Sequence, residues 1–383
     1  MNGSLSSQFL LDPDVVFLNH GSFGATPRPV FERYQAWQRE LERQPVEFIA
    51  RRLAGLLDEA RGVLAEYVGA APQELAFVQN ATTGVNLAAR SLRLGPGDDV
   101  LGTDLEYGAC DLAWERVCEE TGARYVRAPI PLPVTTPEQI ADSLLAGVTA
   151  RTRAVFVSHV TSATALRLPV ELICRRAREA GIVSIIDGAH ATAHVPVDLN
   201  ALGADFYAGN CHKWLCAPKG SGFLYARTEL QDAVDGPIVS WGYADGASFQ
   251  ARIEHQGTRD PAPFLSVPAA IAWQAANDWD DVRARCRALT LEARRRLAEL
   301  IGLEPLAAAS AELLGQMVSV PLPPCDAAEL KRRLYDEHRI EIPVFVRDGV
   351  PILRASFQGY NDYRDLDVLL EALGQLLVRQ VHA

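Results

Sequence analysis

Lysine is almost missing from this 383-residue chain: only Lys213, Lys219 and Lys331 carry it, and the other strong bases are all arginine. Chemistry that needs a nucleophilic amine therefore has three addresses. Long apolar runs are missing too, none approaching the roughly 18 residues that suggest a membrane span, so no membrane partner is expected. The N-terminal MNGSLSSQFLLDPDVVF has neither the basic start nor the apolar core of a secretory signal, and a cytoplasmic protein is expected. CxxC pairs are absent. The seven cysteines, at 110, 118, 174, 211, 216, 286 and 325, are odd in number and scattered, which suggests neither a disulfide framework nor a zinc site, and no metal is expected. Positive charge is in deficit, with 37 Lys and Arg against 48 Asp and Glu and a net charge of −11. A nucleic-acid reader needs a basic face to displace counterions, so no nucleic-acid partner is expected.

What is present is an ordinary globular composition, 48% hydrophobic and 22% charged, over a length that exceeds one small core. From Val30 onward helical and strand patterns alternate. Arg51 to Val68 carries apolar residues at helical spacing, and Glu74 to Val78 reads as a short buried strand. Helices are predicted at Thr83 to Leu92, around Asp111 to Glu120, and at Val170 to Ala180. Strands are predicted at Val100 to Leu101, Ala154 to Ser158, Val183 to Asp187, Asp205 to Ala208 and Gly222 to Tyr225. This alternation indicates an α/β domain with a mostly parallel sheet, whose ligands sit at strand C-terminal ends. A helical stretch from about Ser266 to Leu300 follows. Beyond it come strands Met317 to Pro321, Ile340 to Val344 and Ile352 to Ser356, with helices Ala327 to Glu337 and Asp362 to Leu377. The expected division is an N-terminal segment over 1–25 near the active site, a large domain over 26–265, a connecting helix over 266–300 and a smaller α+β domain over 301–383.

The residues from Asp205 to Trp214 (DFYAGNCHKW) run from an apolar strand into a polar turn, which places Lys213 at a strand end. Trp214, Leu215 and the turn from Ala217 to Gly220 give it partly apolar surroundings that lower an amine pKa and favour imine formation with a carbonyl cofactor. Taken alone, a surface ion pair is the commoner role for such a lysine. Three neighbours shift that balance. Asp187 closes the buried strand VSIID and needs a partner; the protonated pyridine nitrogen of pyridoxal 5'-phosphate (PLP) is one, and a helix cap is the alternative. The turn from Asn80 to Asn86 (NATTGVN) between a strand and a helix would hold a phosphate on its amides and on Thr82, or simply cap the helix. Arg354, on a predicted strand, could clamp a carboxylate bidentately or form a surface ion pair.

These pieces, together with Leu18 to Gly24 (LNHGSFG) and Gly209 to Gly220 (GNCHKWLCAPKG), occur in an order that resembles fold type I PLP enzymes of the class V aminotransferase family. The similarity spans nearly the whole chain and is strongest to the isopenicillin N epimerase-like branch. The resemblance implies an α/β large domain built on a mostly parallel seven-stranded sheet, with a smaller α+β C-terminal domain. It implies that Lys213 is the Schiff-base lysine, that Asp187 meets the pyridine nitrogen, that His190 lies near the ring hydroxyl and that Tyr107 stacks on the cofactor. Thr82, Thr83, Asn210 and His212 match phosphate-holding positions. Thr258 matches one supplied by a neighbouring subunit, which implies a homodimer. Arg354 matches the arginine for the substrate carboxylate. Ser162 stands where the family often has asparagine at a cofactor contact, and His20 and Asn19 resemble residues at the active-site mouth.

Several reactions at the α-carbon are compatible with these residues. Lys213 is the natural general base. Epimerisation also wants a proton donor on the opposite face, for which Tyr107 or His20 is placed. Cysteine desulfuration in this family needs a thiol on a mobile loop shortly before the carboxylate arginine, and the span from Glu341 to Leu353 contains no cysteine. β-Elimination and transamination need no such thiol and stay open. Arg252 and Arg259 hint at an acidic group on the substrate.

Overall fold

Apolar runs too short for helices form the strands, and twelve occur among the described residues. They are β1 (Val16–Phe17), β2 (Leu75–Val78), β3 (Asp99–Thr103), β4 (Arg124–Ala128), β5 (Thr152–Ser158), β6 (Val183–Gly188), β7 (Phe206–Asn210), β8 (Gly222–Ala226), β9 (Met317–Pro321), β10 (Ile340–Glu341), β11 (Val344–Arg347) and β12 (Val350–Ser356). The computed structural model describes residues 5–380. Residues 1–4 and 381–383, which belong to the expected N-terminal segment and smaller domain, lie outside the described residues.

Seven strands join in the order β2-β8-β7-β6-β5-β3-β4. The five from β3 to β7 run parallel, and β8 runs antiparallel to both its neighbours. Successive side chains point to opposite faces of a strand, so along β5 Ala154 and Phe156 enter one core while Val155 and Val157 enter the other. Helices Ala81–Ser91 and Gly108–Thr121 cover the first face, and Leu53–Val68 and Val170–Glu179 cover the second. Burial on both faces explains why β5 to β8 read as nearly continuous apolar runs in the sequence. The edge strand β4 (RYVRA) carries arginines and is largely unburied, so it left no such signal.

A three-stranded antiparallel sheet, β11-β12-β9, is packed against two helices, β9 meeting Trp279–Ile301 and β11 meeting Ala327–His338. Two expectations need correction here. The connecting helix over 266–300 is two helices, Val267–Ala275 and Trp279–Ile301, because Asp278 adopts φ +50°, a left-handed conformation that a right-handed helix cannot continue through. The strand expected from Ile340 to Val344 is likewise divided into β10 and β11, on either side of Pro343, which has no N–H to extend a ladder.

The N-terminal segment is tied to both regions of the chain. β1 pairs in parallel with β10, the Leu5 N–H donates to the Gly359 carbonyl, and Phe9 packs edge-on against Trp273 and Tyr360. A short turn of helix, His20–Phe23, ends at Gly24 with φ +67°. A side chain there would come within 2.1 Å of the His212 carbonyl oxygen and 2.9 Å of Lys213 Cα. Glycine is what lets this segment lie directly against the lysine turn. No helix among the described residues is long and apolar enough to cross a membrane.

Candidate active site

The C-terminal ends of β5, β6 and β7 lie side by side, with Ser158 paired to Asp187 across the first two and Asn210 closing the third. The turn that follows β7 brings Lys213 back over them. Between these strand ends and the N-terminal segment is a cavity of about 280 Å³. Thr82, Tyr107, Ser162, Asp187, His190, Asn210, His212 and Lys213 all line it, so positions spread over more than 130 residues of sequence meet in one place.

Lys213 is half-buried. Desolvation pushes its amine down to about 8, with Asp187 opposing the shift and Arg354 adding to it. Its Nζ stands 3.1 Å from His190 Nε2. Burial also holds the His190 imidazole well below its ordinary pKa. Asp187 is buried, accepts the Ala189 N–H at 2.8 Å and lies 3.5 Å from the Cys110 thiol. Burial raises its carboxyl, against the Ala189 hydrogen bond and the positive charge of Lys213. No helix follows Asp187, which removes the helix-cap alternative.

The helix Ala81–Ser91 also begins at the cavity. Two of its first amides are already used, the Ala81 N–H by Asn210 Oδ1 at 2.7 Å and the Thr83 N–H by Asn80 Oδ1 at 2.9 Å. The Thr83 hydroxyl also turns to Asn80, at 3.2 Å, so Thr83 builds the turn and does not line the cavity. Thr82, between them, does line it. His212 lies alongside, its Nδ1 3.0 Å from the Ser221 carbonyl. A carbonyl only accepts, so Nδ1 carries the proton and Nε2 the lone pair while burial holds the ring's pKa down at about 4.

Arg354, on β12, is buried without a carboxylate partner among the described residues. Its guanidinium donates to the Ser162 carbonyl at 2.7 Å, to Ser162 Oγ at 3.2 Å and to Ser22 Oγ at 3.0 Å, while Nε has no partner. Desolvation lowers it to about 10. A buried, uncompensated guanidinium is a site prepared for an anion.

The remaining sequence-predicted residues fall elsewhere. His20, expected at the mouth, is completely buried behind the lysine turn, with Nε2 3.0 Å from the Lys213 carbonyl and Nδ1 3.0 Å from the Tyr360 hydroxyl. It holds the Lys213 backbone and does not line the cavity. Asn19 is buried too, bonded to Glu341 at 2.9 Å and accepting from Ser22 at 2.5 Å, so it reaches Arg354 only through Ser22. Thr258 is exposed and outside the cavity; its loop approaches the rim only where Gln256 meets Gln79 at 3.0 Å. Arg252 is spent on the carbonyls of Val234, Ala247 and Gln231, and Arg259 lies over the Phe264 ring. Neither arginine lines the cavity, so the hint they gave of an acidic substrate group is withdrawn.

Sequence reading also missed residues. Ser22 lies within the LNHGSFG motif, but nothing local marks it as a partner of Arg354. Glu106, next to Tyr107, is a buried carboxyl pushed up to about 8 by desolvation; it accepts from Thr103 and from both the N–H and the hydroxyl of Ser158.

The class-V aminotransferase family model matches residues 19–369. The isopenicillin N epimerase of Amycolatopsis lactamdurans is 41% identical, the alignment covering 96% of this chain and 97% of that protein. A probable chloroplastic L-cysteine desulfhydrase of Arabidopsis thaliana is 29% identical over 96% of this chain and 84% of its own length. Among solved structures, the Escherichia coli cysteine desulfurase CsdA superposes with a TM-score of 0.82 at 25% identity, covering 97% of each chain.

The cavity suits the cofactor of this family. It is sized for one aromatic ring with its substituents, near the lower bound of about 300 Å³ for small-molecule sites. A depressed amine, a desolvated carboxyl and the first residues of a helix all meet at it. On the match over residues 19–369 and the architecture that carries it, this chain belongs to the class-V aminotransferase family, a fold type I enzyme whose cofactor is pyridoxal 5'-phosphate.

Proposed function

We propose that this enzyme inverts the configuration at the α-carbon of an amino-acid or aminoacyl substrate, as an epimerase of the isopenicillin N epimerase type. The observation that carries this reading is the 41% identity, across nearly the full length of both chains, to an isopenicillin N epimerase. Bound in the cavity, PLP supplies an electron sink that makes the α-proton of an attached amino acid removable. Lys213 would hold the cofactor through its amine and, once released, move the α-proton on one face. Of the two candidates for the other face, Tyr107 lines the cavity and would serve it, whereas His20 is turned away behind the lysine turn. Asp187 would meet the pyridine nitrogen, His190 the ring hydroxyl, and Thr82, Asn210 and His212 the phosphate, with Thr83 shaping their turn. Ser162 and Ser22 would orient Arg354, with Asn19 behind Ser22.

Thr258 would act across a homodimer interface, reaching the neighbouring subunit's site, and the enzyme would work in the cytoplasm. Residues 26–265 would form the cofactor domain and 301–383 the smaller domain. Desulfuration through a protein persulfide is disfavoured, because none of the cysteines lines the cavity and the segment before Arg354 is a hairpin closed by only Asp348 and Gly349. A β-eliminating C–S lyase needs no thiol and is the second reading, supported by the desulfhydrase relative at 29% identity.

Incubating the holoenzyme with a panel of L-amino acids and short aminoacyl peptides in deuterated water separates these reactions. Inverted product carrying α-deuterium is expected. Release of pyruvate and ammonia without inversion would replace epimerisation by elimination, and accumulation of the cofactor's amine form would replace it by transamination.

Arg354 supplies a further prediction. Replacing it by glutamine removes the buried positive charge, and a hydrogen bond to a charged group is worth about 1.5–3 kcal/mol. Steady-state kinetics of Arg354→Gln should therefore show KM raised about 10- to 100-fold for carboxylate substrates. Equal KM values for the variant and the parent would remove Arg354 from the substrate site.

A further inference from the structure

Trp214 follows Lys213 in the chain, yet its side chain reaches Lys213 only through a second residue. The indole is completely buried and stacked on His194, the ring centroids 4.1 Å apart and the planes 19° from parallel. His194 is itself fixed, with Nδ1 2.7 Å from the His190 carbonyl and Nε2 accepting the Gln316 N–H. Gln274 donates to the Trp214 carbonyl at 2.9 Å. Held in this way, indole Nε1 donates to His190 Nδ1 at 3.3 Å.

An indole N–H can only donate, so His190 Nδ1 must be the acceptor and bear the lone pair. The ring is buried, and desolvation, with the positive charge of Arg354 facing it, keeps it neutral. A neutral imidazole carries one proton, and only Nε2 is left for it. That N–H is aimed at Lys213 Nζ, 3.1 Å away. An N–H facing a nitrogen needs a lone pair there, so the contact is satisfied by the neutral amine and not by the ammonium.

We propose that Trp214 is a positioning residue that locks His190 in the tautomer protonated at Nε2, so that His190 always presents an N–H donor to the reactive end of the cavity. That donor favours the free base of Lys213. With PLP bound the same N–H would stabilise the ring oxygen as an anion, a consequence that rests on reading Lys213 as the cofactor lysine. The groups facing the Lys213 amine are Asp187 on β6, Cys110 on the helix Gly108–Thr121, Arg354 on β12 and His190 itself. Those facing His190 are Lys213, Arg354, His194 and His20. Of these, only His190 has its proton position set by Trp214.

The test is the pH titration of the holoenzyme's visible absorption band in the parent and in Trp214→Phe, which keeps the aromatic stack and loses the N–H. Freed of its donor, His190 can turn a lone pair toward the cofactor end. The midpoint should then rise by about one pH unit, a tenfold change in proton affinity. In a His190→Ala background the same Trp214 substitution should move nothing, whereas a mere packing role would shift both backgrounds alike. Superimposable titrations of parent and Trp214→Phe, or a shift that survives His190→Ala, overturn the proposal. Borohydride reduction and peptide mapping keep the underlying reading separate: a cofactor label away from Lys213 defeats that reading, and a label on Lys213 with no shift defeats this one. Should Trp214→Phe not fold, imidazole ¹⁵N shifts in the unaltered protein decide the matter. The signal lost in His190→Ala must show a protonated Nε2 and a bare Nδ1, and the reverse assignment refutes the lock.

Discussion

Lys213→Ala abolishes the visible absorption band of the reconstituted protein and lowers turnover at least about 10³-fold. General acid–base transfer by one positioned group is worth roughly 10²–10⁴, and this residue is also the amine proposed to hold the cofactor. No other lysine can substitute. Lys219 is exposed beside a separate depression with Leu10, Phe31 and Tyr34, and Lys331 is exposed on the helix Ala327–His338. Loss of function should not come from loss of folding. Between about 8, its pKa in the folded protein, and about 10.5, its ordinary value, the folded state binds fewer protons at Lys213 than the unfolded chain does. Lys213 therefore costs stability below about pH 8, and the cost fades as pH rises toward 10.5. The apo form of Lys213→Ala is expected to melt no lower than the parent at neutral pH, and to lose this pH-linked gain above it. Thermal melts across pH, run beside the spectra, check both statements; a variant that keeps the band and the turnover would end the assignment of Lys213.

Asp187→Asn is expected to lower kcat/KM by about 10²–10³, the range found when a preorganised electrostatic contact in a buried site is removed. Asparagine is nearly isosteric and its carbonyl oxygen can still accept the Ala189 N–H, so the backbone after β6 has no reason to move. What disappears is the charge. Asp187 is buried at a strand end where desolvation works against ionisation, and a carboxylate maintained there needs a positive partner, the role proposed for the pyridine nitrogen. Cofactor affinity should fall with activity, because both draw on the same contact. Equilibrium dialysis of PLP alongside steady-state kinetics reads the two together. Parent-like values in both would mean that the buried carboxyl serves the fold and not the cofactor.

Much of this site was legible in the sequence because its main residues sit at the ends of elements with strong local signals. Asp187 and Asn210 close strands whose continuous apolar character follows from burial on both faces, and Lys213 stands out because amines are so scarce. The turn before the helix Ala81–Ser91 was equally visible, as a polar cluster between a strand and a helix. Residues whose roles depend on distant partners were not legible. His20 resembled a residue at the mouth, yet it is folded behind the Lys213 backbone, 193 positions away. Ser22 meets Arg354 across 332 positions.

The sequence by itself determined the order and type of most elements, the scarcity of amines, the placement of Asp187 and Arg354 on strands and that of Lys213 just beyond one, because periodicity and composition act locally along the chain. The tertiary structure alone decided which polar atoms face one another. It turned His20 away, spent Arg252 and Arg259 on other contacts, closed the hairpin at Asp348 and Gly349, and set the proton on His190 through the indole of Trp214. Hydrogen-bond partners and desolvation depend on packing between segments hundreds of residues apart, and no local pattern records them.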